Sequence, residues 1–362
     1  MSSDETIRAD AVVIGAGLGG LGAAGYLARA GHKVVVLEHH AVPGGYAHEF
    51  KRRGFRFEVA LHALDGAGRG GWLEPMLDDL GVLDRVEFTE IDPFYTARFP
   101  DLEITVSPDL SAYVSELKEL FPAQSDGIDS LFTAIGCVAA DTFRYGEDRR
   151  SGGRPNLAEM MERYPDMAQA FAQDWQAFMR AHIGDERLHA VVSTLWGYFG
   201  LPPSKVSAGL FCLALNSYHT TGAWYPRGGS QAMSRAIVEG ILLRGGSVHF
   251  RNRVTRIEVE DGRAVAVETD GGLRVEADVF VSNASPTATV AMVGDEHFDE
   301  SFLESTKSDV PALSNLVAYL GVHRDLAAEG WDYHEFFLAD GYDLDADYAA
   351  MVAGDFSKTG MV

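Results

Sequence analysis

The chain has 362 residues, 46% of them hydrophobic and 23% charged, which at roughly 100–200 residues per domain makes about two globular domains. The 30 lysines and arginines against 53 acids leave a net charge of −23. That excludes a nucleic-acid binder, whose affinity comes mainly from counterions released at Lys/Arg contacts, and a polybasic membrane anchor; two cysteines, Cys137 and Cys212, are too few for a disulfide framework and point to a reducing cytoplasm.

Met1 to Asp10 lacks the basic and apolar regions of a signal peptide. Ala11 to Ala28 is uncharged but holds six glycines, which argues against a spanning helix and for a loop entering a helix. Ala11-Val12-Val13-Ile14 and Val34-Val35-Val36-Leu37 are wholly apolar runs bounded by turn residues, the pattern of buried parallel strands. Between them Leu21, Ala24, Gly25 and Ala28 recur at helical spacing and Gly31 stops the helix, giving a βαβ unit. Val86 to Phe88, Tyr95 to Phe99 and Leu102 to Val106 read as an antiparallel meander. Two helices follow, one lined by Leu110, Val114, Leu117 and Leu120, the other by Ile128, Leu131, Ile135 and Val138. Arg149 to Pro155 reads as an exposed loop and Met167 to Tyr198 as a helical stretch. From Val248 the pattern is β again, with turns at Asp261-Gly262 and Asp270-Gly271-Gly272, a buried strand from Ala277 to Ala284, and a further strand from Asn315 to Val322.

Gly15-Ala16-Gly17-Leu18-Gly19-Gly20 contains G-x-G-x-x-G between a predicted strand and a predicted helix, and a second strand ends at Glu38. This is the context that a dinucleotide fingerprint requires. Gly15 permits the tight turn, Gly17 lets backbone approach a pyrophosphate, and Gly20 lets helix and strand pack closely. The helix start then offers amides and a positive dipole end to the phosphates. Glu38 is placed to accept from both ribose hydroxyls and repels a 2′-phosphate, which favours FAD or NAD over NADP. Pro43-Gly44-Gly45 is a second place where backbone could approach a cofactor, or an ordinary turn.

Val12 to Leu21, Glu38, Gly44-Gly45 and Gly54-Phe55-Arg56-Phe57-Glu58 resemble the opening of FAD-dependent oxidoreductases of the phytoene desaturase, carotenoid isomerase and retinol saturase group, related to the flavin amine oxidases. Tyr225-Pro226-Arg227-Gly228-Gly229, Val254-Thr255-Arg256-Ile257 and Ala277 to Pro286 resemble later stretches of that group in the same order. The resemblance implies an α/β architecture: a discontinuous Rossmann-like FAD-binding domain, residues 1–70 and 225–295, with an inserted α+β substrate domain, residues 71–224 and 296–362. It implies Gly15, Gly17, Leu18, Gly19 and Gly20 at the pyrophosphate, Glu38 and His39 at the adenosine ribose, and Gly44 and Gly45 on the path to the flavin. Val254 would meet the adenine side through its backbone, and Asn283 would end a strand near the FAD. It also implies a C-terminal flavin segment with glycines and an alanine-rich helix, which the sequence after Pro286 lacks. Ser357 to Val362 reads as an interruption, so the chain is a fragment, is completed by a second chain, or has lost part of the site.

His62 resembles a histidine near the flavin in the retinol saturase branch and could move a proton; otherwise it is a partly buried structural histidine. His39-His40 and His48 lack the spacing of a metal site. Lys51-Arg52-Arg53 reads as a solvated turn or a diphosphate contact. Trp196, Tyr198, Phe199, Phe211, Tyr218, Trp224 and Tyr225 either line an apolar tunnel or form core. The resulting expectation is an FAD-dependent oxidoreductase acting on C–C or C=C bonds of a hydrophobic isoprenoid-like substrate, with peripheral membrane contact through an uncharged patch. An amine oxidase and a non-catalytic dinucleotide-binding subunit are the alternatives.

Overall fold

The computed structural model describes residues 5–68, 70–331 and 334–360. Residues 1–4 of the N-terminal stretch Met1–Asp10, and Met361 and Val362 of the terminal stretch, lie outside the described residues. In chain order come β1 (Glu5–Arg8), β2 (Ala11–Ile14), α1 (Leu18–Arg29), β3 (Val34–Glu38), β4 (Glu49–Arg52), β5 (Phe55–Glu58), α2 (Leu73–Asp79), β6 (Phe88–Glu90), β7 (Tyr95–Phe99) and β8 (Leu102–Val106). Helices follow: α3 (Leu110–Leu120), α4 (Ser125–Arg150), α5 (Leu157–Arg163), α6 (Pro165–Phe171), α7 (Trp175–Arg180), α8 (Glu186–Val192) and α9 (Ala208–Thr221). Then come β9 (Trp224–Pro226), α10 (Ser230–Leu243), β10 (Ser247–Phe250), β11 (Val254–Glu260), β12 (Arg263–Thr269), β13 (Leu273–Glu276), β14 (Val279–Ser282), α11 (Pro286–Val293), α12 (Glu300–Ser308), β15 (Phe336–Leu338) and α13 (Leu344–Ala353).

The chain divides into two compact units: Met1–Ala63, Trp72–Thr89 and Tyr225–Val310, and Leu64–Gly71, Glu90–Trp224 and Pro311–Val362. In the first, β10, β3, β2 and β14 form a parallel sheet in that order. Val12, Ile14, Val35 and Leu37 on one face pack against Val254, Ile257, Val267 and Val275 of a second sheet, β1-β13-β12-β11. Side chains alternate faces along a strand, and α1, through Leu21, Ala24 and Ala28, takes the opposite face with α10 beside it. Burial on both faces is why β2 and β3 read as unbroken apolar runs. Residues 72–89, expected in the inserted domain, belong here instead. Their Leu80 fills the space beside Gly25 of α1, where a Cβ would lie 2.8 Å from Leu80 Cδ2. The tip of the β4–β5 hairpin is Arg53-Gly54, both at positive φ (50° and 87°), so of the expected turn Lys51-Arg52-Arg53 only Arg53 lies in it, while Lys51 and Arg52 are exposed at the end of β4.

In the second unit the sheet is β15-β7-β8, and α3 to α9 build the core. Trp175 is fully buried, stacks on Phe211 at 4.6 Å, and donates Nε1–H to Ser193 Oγ at 2.9 Å. Four sequence expectations change here. The meander reduces to the β7–β8 hairpin, because β15, some 240 residues on, takes the other edge of β7 in parallel. The loop expected from Arg149 begins only after Arg150, where α4 ends. The helical stretch Met167–Tyr198 is cut into short helices because Asp174 and Asp185 cap new starts, accepting from Ala177 N and Arg187 N, each at 2.8 Å. Asn315–Val322 has no regular secondary structure and is no strand, with Leu316 and Leu320 exposed; β propensity makes a strand only where a ladder partner exists. Among the described residues no helix is long and apolar enough to cross a membrane.

Candidate functional site

The first glycine loop leaves the carboxyl end of β2, between β3 and β14, where the strand order of an open α/β sheet reverses and ligands bind. Gly15 has φ of +96° and donates its N–H to Leu37 O at 2.8 Å, so the turn closes onto the neighbouring strand. A Cβ on Gly20 would lie 2.1 Å from Gly15 O, a contact only glycine permits. Gly17 opens α1 with no side-chain cap, and the first turn, with Leu18, Gly19 and Gly20, carries no acid. The positive end of α1 is therefore left for an anion.

The second glycine loop meets the first. Gly44 N–H donates to Ala16 O at 2.7 Å, and Gly44 bridges to Gly17. A Cβ on Gly17 would come 2.9 Å from Asn283 Nδ2 and 4.0 Å from Gly45 Cα, and one on Gly19 would come 2.8 Å from Asn283 Oδ1. Asn283 is fixed by its own N–H, which donates to Ile14 O at 2.8 Å. Gly15 to Gly20, Gly44, Gly45 and Asn283 thus form one cradle with main-chain walls, which Cβ atoms would fill. Such a cradle fits a diphosphate, whose oxygens take hydrogen bonds from backbone amides.

Glu38 closes the ribose side. The residue is 5% exposed. Oε2 accepts from Ala16 N–H at 2.7 Å, while Oε1 accepts from His40 N–H at 2.7 Å and lies 2.9 Å from His39 Nδ1. A carboxylate has about four acceptor positions, so one remains for a sugar hydroxyl. The acid therefore also ties the glycine loop to the end of β3. The Val254 side chain is buried in the inter-sheet core, which leaves only its backbone to face a ligand, at the bulged start of β11. His62 is exposed on an irregular stretch after β5, not partly buried. Among the described residues no group of His, Cys, Asp and Glu is arranged to hold a metal.

Sequence reasoning gave no role to a polar seam behind the cradle. Ser230, Gln231 and Ser234 of α10 are almost wholly buried. Ser230 meets Glu58, Gln231 Nε2–H donates to Pro43 O at 2.9 Å, and Ser234 Oγ–H donates to Ala47 O at 2.9 Å. The available signal was three polar residues at i, i+1 and i+4 within an otherwise apolar helix face. The aromatic stretch divides: Trp196 and Phe211 are core of the second unit, whereas Phe199, Tyr218 and Trp224 are half-buried and Tyr198 is more exposed. Tyr198 OH donates to Glu335 at 2.6 Å, and Tyr218 packs on Phe94 with ring centroids 4.6 Å apart.

A family model described as flavin containing amine oxidoreductase matches residues 18–322. The chain is 29% identical over 357 residues to prolycopene isomerase 1, chloroplastic, of an Oncidium hybrid cultivar, covering 94% of this chain and 59% of the relative. It is 26% identical to all-trans-retinol 13,14-reductase of Rattus norvegicus, covering 92% and 57% respectively. It is 33% identical over 269 residues to phytoene dehydrogenase of Streptomyces griseus, covering 72% and 51%. The chain thus spans less than two thirds of the length of each of these relatives. An oxidoreductase from Methanosarcina mazei shares the fold at a TM-score of 0.59 and 23% identity, covering 83% of this chain and 65% of that one. Putrescine oxidase does so at 0.58 and 17%, covering 84% and 64%. The matched family is flavin containing, which makes FAD the cofactor.

Proposed function

Because the chain belongs to the family of flavin containing amine oxidoreductases, we propose that it acts as an FAD-dependent oxidoreductase on carbon–carbon bonds of a hydrophobic, isoprenoid-like substrate, by desaturation, saturation or isomerisation. Support for the substrate class comes from relatives named for prolycopene, retinol and phytoene. The observation that carries the cofactor half is the convergence of Gly17, Gly44–Gly45 and Asn283 at the carboxyl end of β2. When bound, FAD supplies two-electron chemistry at a C–H or C=C bond. The amides of Gly17 to Gly20 bind the diphosphate, Glu38 with His39 holds the ribose, Gly44 and Gly45 line the path towards the ring, Val254 offers backbone to the adenine side, and Asn283 closes the cradle. The first unit is then the cofactor domain and the second the substrate domain. There Tyr198, Phe199, Tyr218 and Trp224 offer an apolar wall that excludes water. His62 is the candidate for moving a proton. Two unpaired cysteines support a reducing, cytoplasmic setting.

Flavin absorbance of the purified chain tests the reading. Wild type should carry FAD, and Gly17→Val and Glu38→Ala should each lose most of it while staying folded; unchanged flavin content in both rejects the site. Bleaching by a polyene, and not by an amine, separates the proposed substrate class from an amine oxidase. A second reading, a subunit completed by another polypeptide, is favoured by β14, an edge strand of a parallel sheet with Val279 45% exposed. Flavin retention only in the presence of that polypeptide would select it.

A further inference from the structure

Glu58 ends β5, directly opposite Glu49 on β4. Its carboxylate accepts from Tyr225 OH at 2.6 Å, from Ser230 N–H at 3.0 Å and from Ser230 Oγ–H at 2.5 Å. Two of these donors belong to the first residue of α10, so Glu58 caps a helix 172 residues away in sequence. A carboxylate is favoured there by the amides and by the helix dipole. The turn before α10 also packs closely on the opposite strand: Gly228 and Gly229 have φ of +89° and +85°, and a Cβ on Gly229 would fall 1.8 Å from Glu49 Oε1. Burial and the neighbouring Glu58 carboxylate push the Tyr225 phenol up, so it stays a donor through the physiological range.

α10 in turn holds the second glycine loop near both ends, through Gln231 to Pro43 O and Ser234 to Ala47 O. Gly44 and Gly45 stand at φ of +118° and +61°, conformations that cost glycine little, and within the loop Ala47 N–H donates to Gly44 O at 2.9 Å. A Cβ on Gly44 would come 2.7 Å from Ser234 Oγ, so the helix lies directly against the loop.

The geometry points to Glu58 as a positioning residue for the cofactor cradle: by fixing the start of α10 it sets where Gly44 and Gly45 stand relative to Gly17. The inference rests on the FAD reading for its ligand but not for its mechanics. A loop ordered in advance spares the binding step that ordering cost.

The test is Glu58→Gln in the full chain, which keeps the size of the side chain but turns an amide N–H₂ towards donors. Loss of charge-assisted bonds to the helix start should raise the FAD dissociation constant about tenfold or more. In FAD-free protein the amides of Gly44 and Ala47, which donate to Ala16 O and Gly44 O, should exchange with solvent faster, while those of β2 and β3 keep their protection. Tyr225→Phe, which removes one donor and leaves the cap, should shift both readouts in the same direction by less, and it carries the test if Glu58→Gln does not fold. Affinity within about twofold of wild type with unchanged loop exchange overturns the proposal. So does faster exchange spread evenly over β2, β3 and the loop, which marks a purely structural residue. A wild-type chain that binds no FAD overturns the cofactor reading alone, because the exchange measurement on FAD-free protein still decides whether Glu58 clamps the loop.

Discussion

Burial lowers the His219 imidazole to about 4, with the Asp109 carboxylate and the carbonyls of Pro108 and Ser107 offsetting part of the shift. The ring stacks on Tyr113 with centroids 4.5 Å apart. Since the unfolded chain takes up this proton near pH 6.5 and the folded chain only near 4, stability is full above about 6.5 and falls as the pH drops through that window. At about 1.4 kcal/mol per unit, the loss reaches about 3 kcal/mol. Urea unfolding of wild type and His219→Phe at pH 7 and near pH 4 should show wild type losing that much relative to the variant; a constant difference would mean that the folded protein takes up the proton too. At this scale the legible residues were those with a local signature. Gly15, Gly17 and Gly20 are spaced for a turn, and Glu38 sits where a strand ends. The role of Glu58 is not legible from the chain around it, because its donors, Tyr225 and Ser230, come from a distant part of the sequence. His219 gave no sign of its burial, since one histidine on an apolar helix looks alike inside and out.

Elements were legible where their pattern was self-contained. β2, α1 and β3 appear as read, because a parallel strand covered on both faces must be apolar throughout. The stretch Met167–Tyr198 has helical periodicity but breaks where an acid can cap a new turn. That cap supplies an element-scale prediction. Asp185 accepts from Arg187 N–H at 2.8 Å at the start of α8, and Asp185→Ala should lower the unfolding free energy by about 1 kcal/mol. FAD affinity should not change, because α8 belongs to the second unit and the cradle to the first. Denaturant midpoints and flavin titration measure the two effects; a parallel fall in affinity would place the site elsewhere.

The whole molecule carries a net charge of −23, and its proposed cofactor is an anion. Long-range repulsion should slow their encounter, and salt should relieve it. The association rate of FAD should therefore rise severalfold from about 0.01 M to about 0.15 M salt, where the screening length shrinks from about 30 Å to about 8 Å. A rate that falls with salt in stopped-flow measurements would show that local positive potential at the cradle outweighs the global charge. The sequence by itself determined the parallel βαβ core, the first glycine loop and the acid at Glu38, because each follows from contacts within about 30 residues and from side-chain period. Tertiary structure alone decided that β15 extends the β7–β8 hairpin, that Asn315–Val322 forms no strand, that residues 72–89 join the first unit, and that α10 braces Gly44 and Gly45. Each of those is a pairing of distant segments, and a one-dimensional pattern records what a residue prefers to bury but not which surface arrives to cover it.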